Sequence, residues 1–380
     1  MATIKSVSAL IVDGDWIESK DQSPEGIRLV QTGNIGIGAY LDKSNRAKYI
    51  SEETFERLNC TELNIGDILV SRLPDPIGRA CRVPDNIGRA ITSVDCTIIR
   101  LNPDKCDAEY FVQYTQSELY QNRLSQFFAG STRTRISRKN LEQIEIPLPY
   151  IAEQKRITLI LGKVDELIAL RKEQIAKLDQ LVKSRFIELF GLPVSNSKGW
   201  STEKMREVAP AVNYSGGFED AVWLLNLDMV EAQTGRILDY LYINEEEVGN
   251  STCTFDTKNV LYSKLRPYLN KVVIPDRPGY ATSELIPLKP NPMKLERTYL
   301  AFMLRSDEFV NMINEKVAGA KMPRVSMSDF REFDVPVPPM ELQKRFDAFV
   351  KQTDKSKLAI QQSLDKLELL KKSLMQEYFG

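Results

Sequence analysis

The sequence predicts an α+β fold, a tandem pseudo-twofold repeat of two α/β domains separated by a pair of long coiled-coil helices. Three observations predict it: an internal repeat at an offset of 189 residues, short strand-like segments broken by turn residues, and two long proline-free stretches. The predicted segments are a first domain over residues 1–149, a helix over 150–191, a second domain over 192–339 and a helix over 340–380.

The internal repeat carries most of this prediction. Residues 130–191 align with residues 319–380 without a gap and are identical at 17 of 62 positions, where average residue usage would give about four. Gln154 falls on Gln343 in this alignment. The offset is far longer than the repeats of about 20–50 residues that build solenoids, so it indicates a duplicated domain.

Each domain contains β-branched and aromatic runs between Gly, Pro, Asn and Asp, which is typical of a loop-rich mixed fold. The predicted strands are Asp67–Ser71, Cys96–Leu101, Asn259–Ser263 and Lys271–Ile274. Helices are predicted over Glu109–Phe128 and Glu296–Val317. Both domains end in a Pro-x-Pro segment that must leave the domain in an extended conformation, because proline excludes helix there.

A long helix is predicted after each domain. Apolar residues recur at alternating intervals of three and four, the pattern of a coiled-coil seam. We expect the two helices to pack on each other through this seam, which includes Ile157, Leu161, Val164, Ile175, Leu178, Phe346, Val350, Leu364 and Leu367. At about 1.5 Å per residue each helix would span roughly 55 Å, a length suited to a spacer. The alternative is that each helix covers only its own domain.

Composition excludes several classes of site. The chain has no histidine, which removes histidine-based nucleophile activation and histidine metal ligands. Its five cysteines are odd in number and widely spaced, which disfavours structural zinc and a disulfide framework. We therefore expect no histidine-dependent catalytic site and no metal site. A formal net charge of −1 leaves polyanion binding to local basic patches. The lack of a long apolar run or a secretory N-terminus predicts a cytoplasmic protein.

An ordered set of short segments occurs in both halves of the chain. These segments are residues 69–72, 91–96, 130–137 and 144–156 in the first half, and 261–271, 281–284 and 319–326 in the second. Through this set, which covers nearly the whole chain in order, the sequence resembles the specificity (HsdS) subunits of type I DNA restriction–modification enzymes.

The resemblance implies a non-catalytic subunit that binds double-stranded DNA. Each domain would be a target-recognition domain for one half of a bipartite site, and the helices would form an antiparallel coiled coil that sets the spacing and docks partners. The implied partners are two adenine-N6 methyltransferase (modification) subunits and, in the full complex, restriction subunits with nuclease and translocase activity. S-adenosylmethionine, ATP and Mg²⁺ would be bound by those subunits, with no cofactor on this chain.

Candidate DNA contacts are basic, amide and aromatic side chains on loops, because cations bind phosphates and donors and acceptors read base edges. In the first domain they are Arg72, Arg79, Arg82, Arg133, Arg135, Arg138 and Lys139. In the second domain they are Asn213, Tyr214, Lys264, Arg266, Tyr268, Lys271, Lys321 and Arg324. A solvated charged surface with ordinary ion pairing is the alternative for each cluster.

Two other functions compete with DNA recognition. A coiled-coil adaptor with two protein-binding domains would use the same architecture. A self-contained nuclease or methyltransferase would need a carboxylate site, yet no paired carboxylate motif occurs in both halves. The Gly-rich segment 33–38 lacks the strand and helix context of a nucleotide-binding loop, so it is interpreted as a turn.

Overall fold

The structure is a computed structural model that describes residues 1–128, 134–218, 221–318 and 322–380. The chain divides into two compact units, Met1–Arg171 with Ser363–Gly380 and Lys172–Gln362. Each unit contains one globular domain and a segment of both long helices. This division passes through the helices, whereas the division predicted from the sequence gave each helix a segment of its own.

Within its described residues, the first unit has nine strands and five short helices, followed by a long helix. The strands are β1 Ala2–Thr3, β2 Ser8–Asp13, β3 Ile27–Val30, β4 Lys48–Ile50, β5 Ile68–Ser71, β6 Ala80–Arg82, β7 Ala90–Thr92, β8 Cys96–Leu101 and β9 Glu145–Ile146. The helices are α1 Ile4–Val7, α2 Glu52–Leu58, α3 Ala108–Tyr114, α4 Glu118–Ser125, α5 Arg138–Gln143 and the long α6 Ile151–Phe190.

Two sheets and a ribbon organise these strands. The first sheet has the antiparallel order β2-β8-β5-β6, and the second has the order β4-β3-β7 with β3 and β7 parallel. Strands β1 and β9 form the ribbon. The main core lies between the first sheet and α3, α4 and α5, and side chains from both long helices complete it.

The part of the second unit that the structure describes has eleven strands and four short helices before the other long helix. The strands are β10 Thr202–Lys204, β11 Ala221–Leu225, β12 Leu241–Asn244, β13 Thr252–Phe255, β14 Val260–Ser263, β15 Val272–Val273, β16 Gly279–Thr282, β17 Leu285–Leu288, β18 Val317–Ala318, β19 Arg324–Val325 and β20 Asp334–Pro336. The helices are α7 Met205–Val208, α8 Arg297–Arg305, α9 Asp307–Glu315, α10 Met327–Arg331 and α11 Met340–Phe379.

The second unit repeats part of the sheet order of the first. Its sheet β15-β14-β17 corresponds to β6-β5-β8, and the parallel pair β11 and β16 corresponds to β3 and β7. The β10–β20 ribbon corresponds to β1–β9. The structure therefore confirms the predicted α+β fold with a tandem repeat, including strands at each of the four segments where strands are predicted.

The helices predicted over Glu109–Phe128 and Glu296–Val317 are each two helices. A serine ends the first helix of each pair by capping the second: Ser117 Oγ accepts from the Tyr120 N–H at 3.1 Å, and Ser306 Oγ accepts from the Phe309 N–H at 3.3 Å. Apolar periodicity continues across the break and conceals it. Because a serine N-cap stabilises the start of a new helix, each predicted helix is divided into two.

Helices α6 and α11 begin just after the Pro-x-Pro segments, since proline is excluded from helix interiors. Gly191 follows α6 with a φ of 78°, and its N–H donates to the Ile187 carbonyl at 2.8 Å. A left-handed residue at this position satisfies a carbonyl of the last turn and ends the helix.

Within each unit the two helix segments run antiparallel. In the first unit the Arg156 guanidinium lies 6.0 Å from the centre of the Tyr378 ring, and further along α6 Asp165 binds Lys371 at 2.6 Å. In the second unit Asp179 binds Lys357 at 2.9 Å. The expected helix pairing is therefore observed inside both units.

A buried glutamine anchors the start of each long helix to its domain. Gln154 Oε1 accepts from the Asp107 N–H at 2.9 Å, and its Nε2 donates to the carbonyls of Lys105 at 3.0 Å and Pro149 at 2.8 Å. Gln343 makes the three equivalent bonds in the second unit, each at 2.8 Å. These contacts explain why the glutamine occurs in both copies of the sequence.

Candidate DNA-binding surfaces

Arg72 follows β5, and its side chain is buried within the first domain. Nη2 donates to the Val94 carbonyl at 2.6 Å, and Nη1 lies 3.5 Å from an Asp13 carboxylate oxygen. The side chain therefore ties the end of β5 to the end of β2. Arg72 is predicted from the sequence to be a DNA contact, with ordinary ion pairing as the alternative, and its guanidinium has partners inside the domain.

Arg79 is held by four backbone carbonyls. Its Nε donates to Ile35 at 2.7 Å and its Nη2 to Thr32 at 2.9 Å, while Nη1 reaches Leu73 at 2.9 Å and Pro76 at 3.0 Å. Burial lowers the pKa of this guanidinium because the charged form loses solvation. Arg79, a DNA contact predicted from the sequence, thus organises the surrounding loops through these four carbonyls.

Lys271 takes the place of Arg79 in the second domain. Its Nζ donates to the Leu227 carbonyl at 2.5 Å, and burial lowers the pKa of the ammonium group. Leu227 begins a 3₁₀ turn, as Thr32 does in the first domain. Both cations therefore hold the same turn of the repeated fold.

The remaining cations of the first domain lie at its surface. The nearest carboxylate oxygens to Arg82 and Arg138 are 3.7 Å and 3.4 Å away. Arg135 and Lys139 are exposed, and neither forms an ion pair with any residue that the structure describes. Arg133 lies outside the described residues. Arg135 and Lys139 are the best placed members of this group for phosphate contact.

A turn after β14 presents further candidates in the second domain. Arg266 and Asn270 both adopt left-handed backbone angles, with φ of 50°, and the side chains of Arg266 and Tyr268 are exposed. Lys264 is half-buried, and its carbonyl accepts from the Val325 N–H at 2.9 Å. The turn therefore projects a cation and an aromatic ring from one backbone element.

Arg324 is engaged by a carboxylate. Its Nη2 lies 3.0 Å from Glu284 Oε1, and this hydrogen-bonded carboxylate raises the pKa of the guanidinium. Its counterpart in the repeat, Arg135, has no such pair in the described part of the first domain. The two arginines occupy equivalent positions of the repeat, yet their side chains have different surroundings. Lys321 lies outside the described residues.

Asn213 and Tyr214 precede a row of aromatic rings on the second domain. Asn213 is exposed, and the Tyr214 N–H donates to the Thr254 carbonyl at 3.2 Å. The Tyr214 and Phe218 ring centres are 5.6 Å apart, and those of Phe218 and Tyr280 are 4.7 Å apart. This half-exposed row offers apolar surface beside a polar turn.

A cluster of polar and aromatic side chains around Arg277, on the same domain, was not predicted from the sequence. The Arg277 guanidinium lies 4.6 Å from the Tyr240 ring centre, binds Asp276 through Nε at 3.1 Å and Nη2 at 3.0 Å, and donates to the Tyr242 hydroxyl. An arginine has five N–H donors, so donors remain for a ligand. The tyrosines reach Arg277 only when the β11 sheet forms, and no local sequence signal marks the cluster.

Several seam residues assigned to helix pairing and partner docking lie in the cores of the units. Ile157 and Leu161 belong to the first core, and Phe346 and Val350 to the second. Val164 and Leu364 are buried, whereas Ile175, Leu178 and Leu367 are half-buried. The exposed leucines of the two helices are Leu159, Leu167, Leu170, Leu181, Leu358, Leu369 and Leu370. A docked partner would meet these exposed side chains first.

Among the residues that the structure describes, no group of three or more cysteine, aspartate or glutamate side chains is arranged to hold a metal ion. None of the described helices combines the length and apolar character needed to cross a membrane.

A family model and individual relatives with known names agree on one protein family. The family model for the type I restriction modification DNA specificity domain matches residues 13–180 and 232–370. The chain is 22% identical over 294 residues to the type I restriction enzyme EcoDI specificity subunit of Escherichia coli, covering 66% of this chain and 65% of that one. It is also 22% identical over 359 residues to the putative MjaX specificity subunit of Methanocaldococcus jannaschii, covering 86% of this chain and 80% of that one.

Solved structures show the same fold. A chain from a structure of the type I R-M system superposes with a TM-score of 0.62 at 17% identity, covering 100% of this chain and 96% of that chain. The type I restriction-modification S subunit from M. genitalium gives a TM-score of 0.54 at 17% identity, covering 100% of this chain and 95% of that one.

Proposed function

This chain belongs to the type I restriction modification DNA specificity family, and from that premise we propose that its two domains each read one half of a bipartite double-stranded DNA target. Membership confirms the resemblance predicted from the duplicated segments. It also makes DNA target specificity the function of the chain, in preference to a coiled-coil adaptor for two protein partners.

One observation carries the proposal of two half-sites: the two domains share their framework and differ at the surface. The anchoring glutamines, the capping serines and the half-buried cations Arg79 and Lys271 recur at equivalent places. The exposed turn containing Arg266 and Tyr268, by contrast, corresponds to Pro74–Gly78 in the first domain. Two readers on one framework with different surface chemistry suit a target whose halves differ in sequence.

Chemistry is assigned to the partner subunits. In this proposal the chain is non-catalytic and cytoplasmic, and it directs two adenine-N6 methyltransferase subunits and restriction subunits to the target. S-adenosylmethionine, ATP and Mg²⁺ bind those subunits. Base edges supply specificity, while phosphate contacts supply affinity and orientation.

The exposed leucines on the long helices are proposed as the docking surface for the methyltransferase subunits. Leu159 and Leu170 lie eleven residues apart on the α6 segment of the first unit, which is close to three helical turns and so places them on one face. Exposed apolar side chains in a row mark protein contact sites. The exposed leucines of α11, which are Leu358, Leu369 and Leu370, are proposed to contribute to docking of the second methyltransferase subunit.

The decisive experiment is single-molecule mapping of methylated adenines in cells with and without this chain. We expect a split motif that disappears when the chain is deleted and returns when it is supplied again. A methylation pattern independent of the chain would contradict the proposal, as would methyl transfer by the isolated chain.

A narrower prediction concerns phosphate contacts. Changing Arg135→Gln and Lys139→Gln together should reduce the slope of log affinity against log salt by about 2, since each phosphate contact contributes about 0.9. The measurement is DNA-binding anisotropy of the assembled complex at several salt concentrations.

The control for that measurement is Arg89→Gln, because Arg89 already binds Glu62 at 3.0 Å and Glu52. The control should leave the slope unchanged. Equal slopes for the double variant and the unaltered chain would remove Arg135 and Lys139 from the interface.

A further inference from the structure

The first domain carries a tight hairpin at residues 34–41, directly after the 3₁₀ turn that Arg79 holds. An antiparallel bridge and two backbone hydrogen bonds close it, leaving Ile37 and Gly38 at its tip. Gly38 has a φ of 75°, and a Cβ atom there would lie 2.5 Å from the Gln116 amide. Only glycine fits such a position, so the tip has a defined shape.

An equivalent hairpin, residues 229–238, occurs in the second domain. It is closed by the same kind of bridge and by a matching backbone hydrogen bond, and its tip is longer. Gly235, with a φ of 66°, is pressed against the Val272 carbonyl. At the tip, Gln233 Nε2 donates to the Tyr268 carbonyl at 2.9 Å. This hairpin is thereby joined to the turn that presents Arg266.

A half-buried cation binds the backbone of each hairpin or of the turn that precedes it. Arg79 binds the carbonyl of Thr32, which precedes the first hairpin, and that of Ile35, which lies within it. Lys271 binds the carbonyl of Leu227, which precedes the second hairpin. Neither cation presents its charge at the tip, so both act on the position of the hairpin.

The two tips differ in chemistry although their supports match. Ile37 is 59% exposed and flanked by glycines, whereas Gln233 and Thr234 make the second tip polar and exposed. Beside the first hairpin, Lys43, Arg46 and Lys48 are exposed and form no ion pair with the described residues. Beside the second lie Arg266 and Tyr268. Each tip therefore stands next to groups that suit a DNA backbone.

We propose that the hairpins at residues 34–41 and 229–238 are the base-reading elements of their domains, and that Arg79 and Lys271 are positioning residues that hold them without touching DNA. This inference rests on the proposed function. It assigns direct base readout to one hairpin in each domain.

The tip side chains indicate which bases are read. An apolar side chain such as Ile37 can distinguish a thymine by its C5-methyl group, and a glutamine amide pairs with the N6 and N7 edge of adenine. Gln233 uses one amide hydrogen on the Tyr268 carbonyl and keeps its other hydrogen and its oxygen for a ligand. Both hairpins are therefore assigned to an A·T base pair, one in each half-site.

The test compares methylated-adenine maps from cells that carry the full complex with altered chains. Ile37→Ser and Gln233→Leu change exposed tips, so the domains should fold. Each should weaken discrimination at one A·T pair by about 10-fold or more, since a base contact is worth roughly one to two orders of magnitude, and the two should affect opposite half-sites. Arg89→Gln is the matched control and should leave the motif unchanged.

The positioning role is tested by Arg79→Met and Arg79→Lys. Arg79→Met should weaken discrimination at the same base pair as Ile37→Ser. Arg79→Lys should retain that discrimination, because Lys271 binds the equivalent turn of the second domain with an ammonium group. Tip variants that leave both half-sites unchanged, or that alter the same half-site, would overturn the inference. A complex with the unaltered chain that methylates no motif would instead overturn the proposed function, and the two failures are distinct.

Discussion

Replacing Phe379 with alanine should destabilise the first unit by about 3–5 kcal/mol, the usual cost of removing a buried phenylalanine. Phe379 is 1% exposed, and its ring centre lies 5.2 Å from that of Tyr110 and 5.8 Å from that of Tyr114. The end of α11 is thus part of the first domain's core. The measurement is hydrogen exchange followed peptide by peptide, because the two units need not unfold together.

The matched change on the other helix should act on the other unit. Phe190 lies near the end of α6, and its ring centre is 4.8 Å from that of Tyr299 and 5.5 Å from that of Phe346. Phe190→Ala should therefore increase exchange in the second unit. Leu369→Ala is the control, because Leu369 is 65% exposed on the same helix as Phe379. Loss of protection in the wrong unit would contradict this account of the packing.

The strands and the long helices could be predicted because their signals are local. A proline-free stretch with a regular apolar seam specifies a helix whatever surrounds it, and the helices extend over Ile151–Phe190 and Met340–Phe379. The duplication added a second source of information, since it marked Gln154 and Gln343 as equivalent before their bonds were known. The breaks between α3 and α4 and between α8 and α9 could not be predicted, because a single serine, Ser117 or Ser306, starts a new helix while the apolar pattern continues.

The functions of charged side chains could not be predicted in the same way. Arg79 lies on a loop rich in glycine and proline, and nothing nearby in the sequence shows that its guanidinium reaches Thr32 and Ile35, more than forty residues earlier. The cluster around Arg277 likewise depends on how β11 pairs with its neighbours. Contacts between residues distant in the sequence decide whether a cation faces solvent or backbone carbonyls. A list of basic residues therefore contains both structural cations and cations available to a ligand.

Gln154→Leu should cost the first unit about 3 kcal/mol, because it removes the partner of three part-buried backbone groups and each costs about 1 kcal/mol, the low end of the range for a group that water can partly reach. Leucine is of similar size, so the loss would come from the Asp107 N–H and from the Lys105 and Pro149 carbonyls, not from a cavity. The measurement is the free energy of unfolding together with local hydrogen exchange at the start of α6.

Two further variants separate this cause from a general weakening of the helix. Lys155→Ala changes the exposed neighbour and should stay within about 0.5 kcal/mol. Gln343→Leu should reproduce the loss in the second unit, where Gln343 holds the Glu296 N–H and two carbonyls. If Gln154→Leu were as stable as the unaltered chain, the buried amide could not be what joins helix to domain. The duplicated glutamine would then need another explanation, because the helix seam alone would suffice to hold α6 in place.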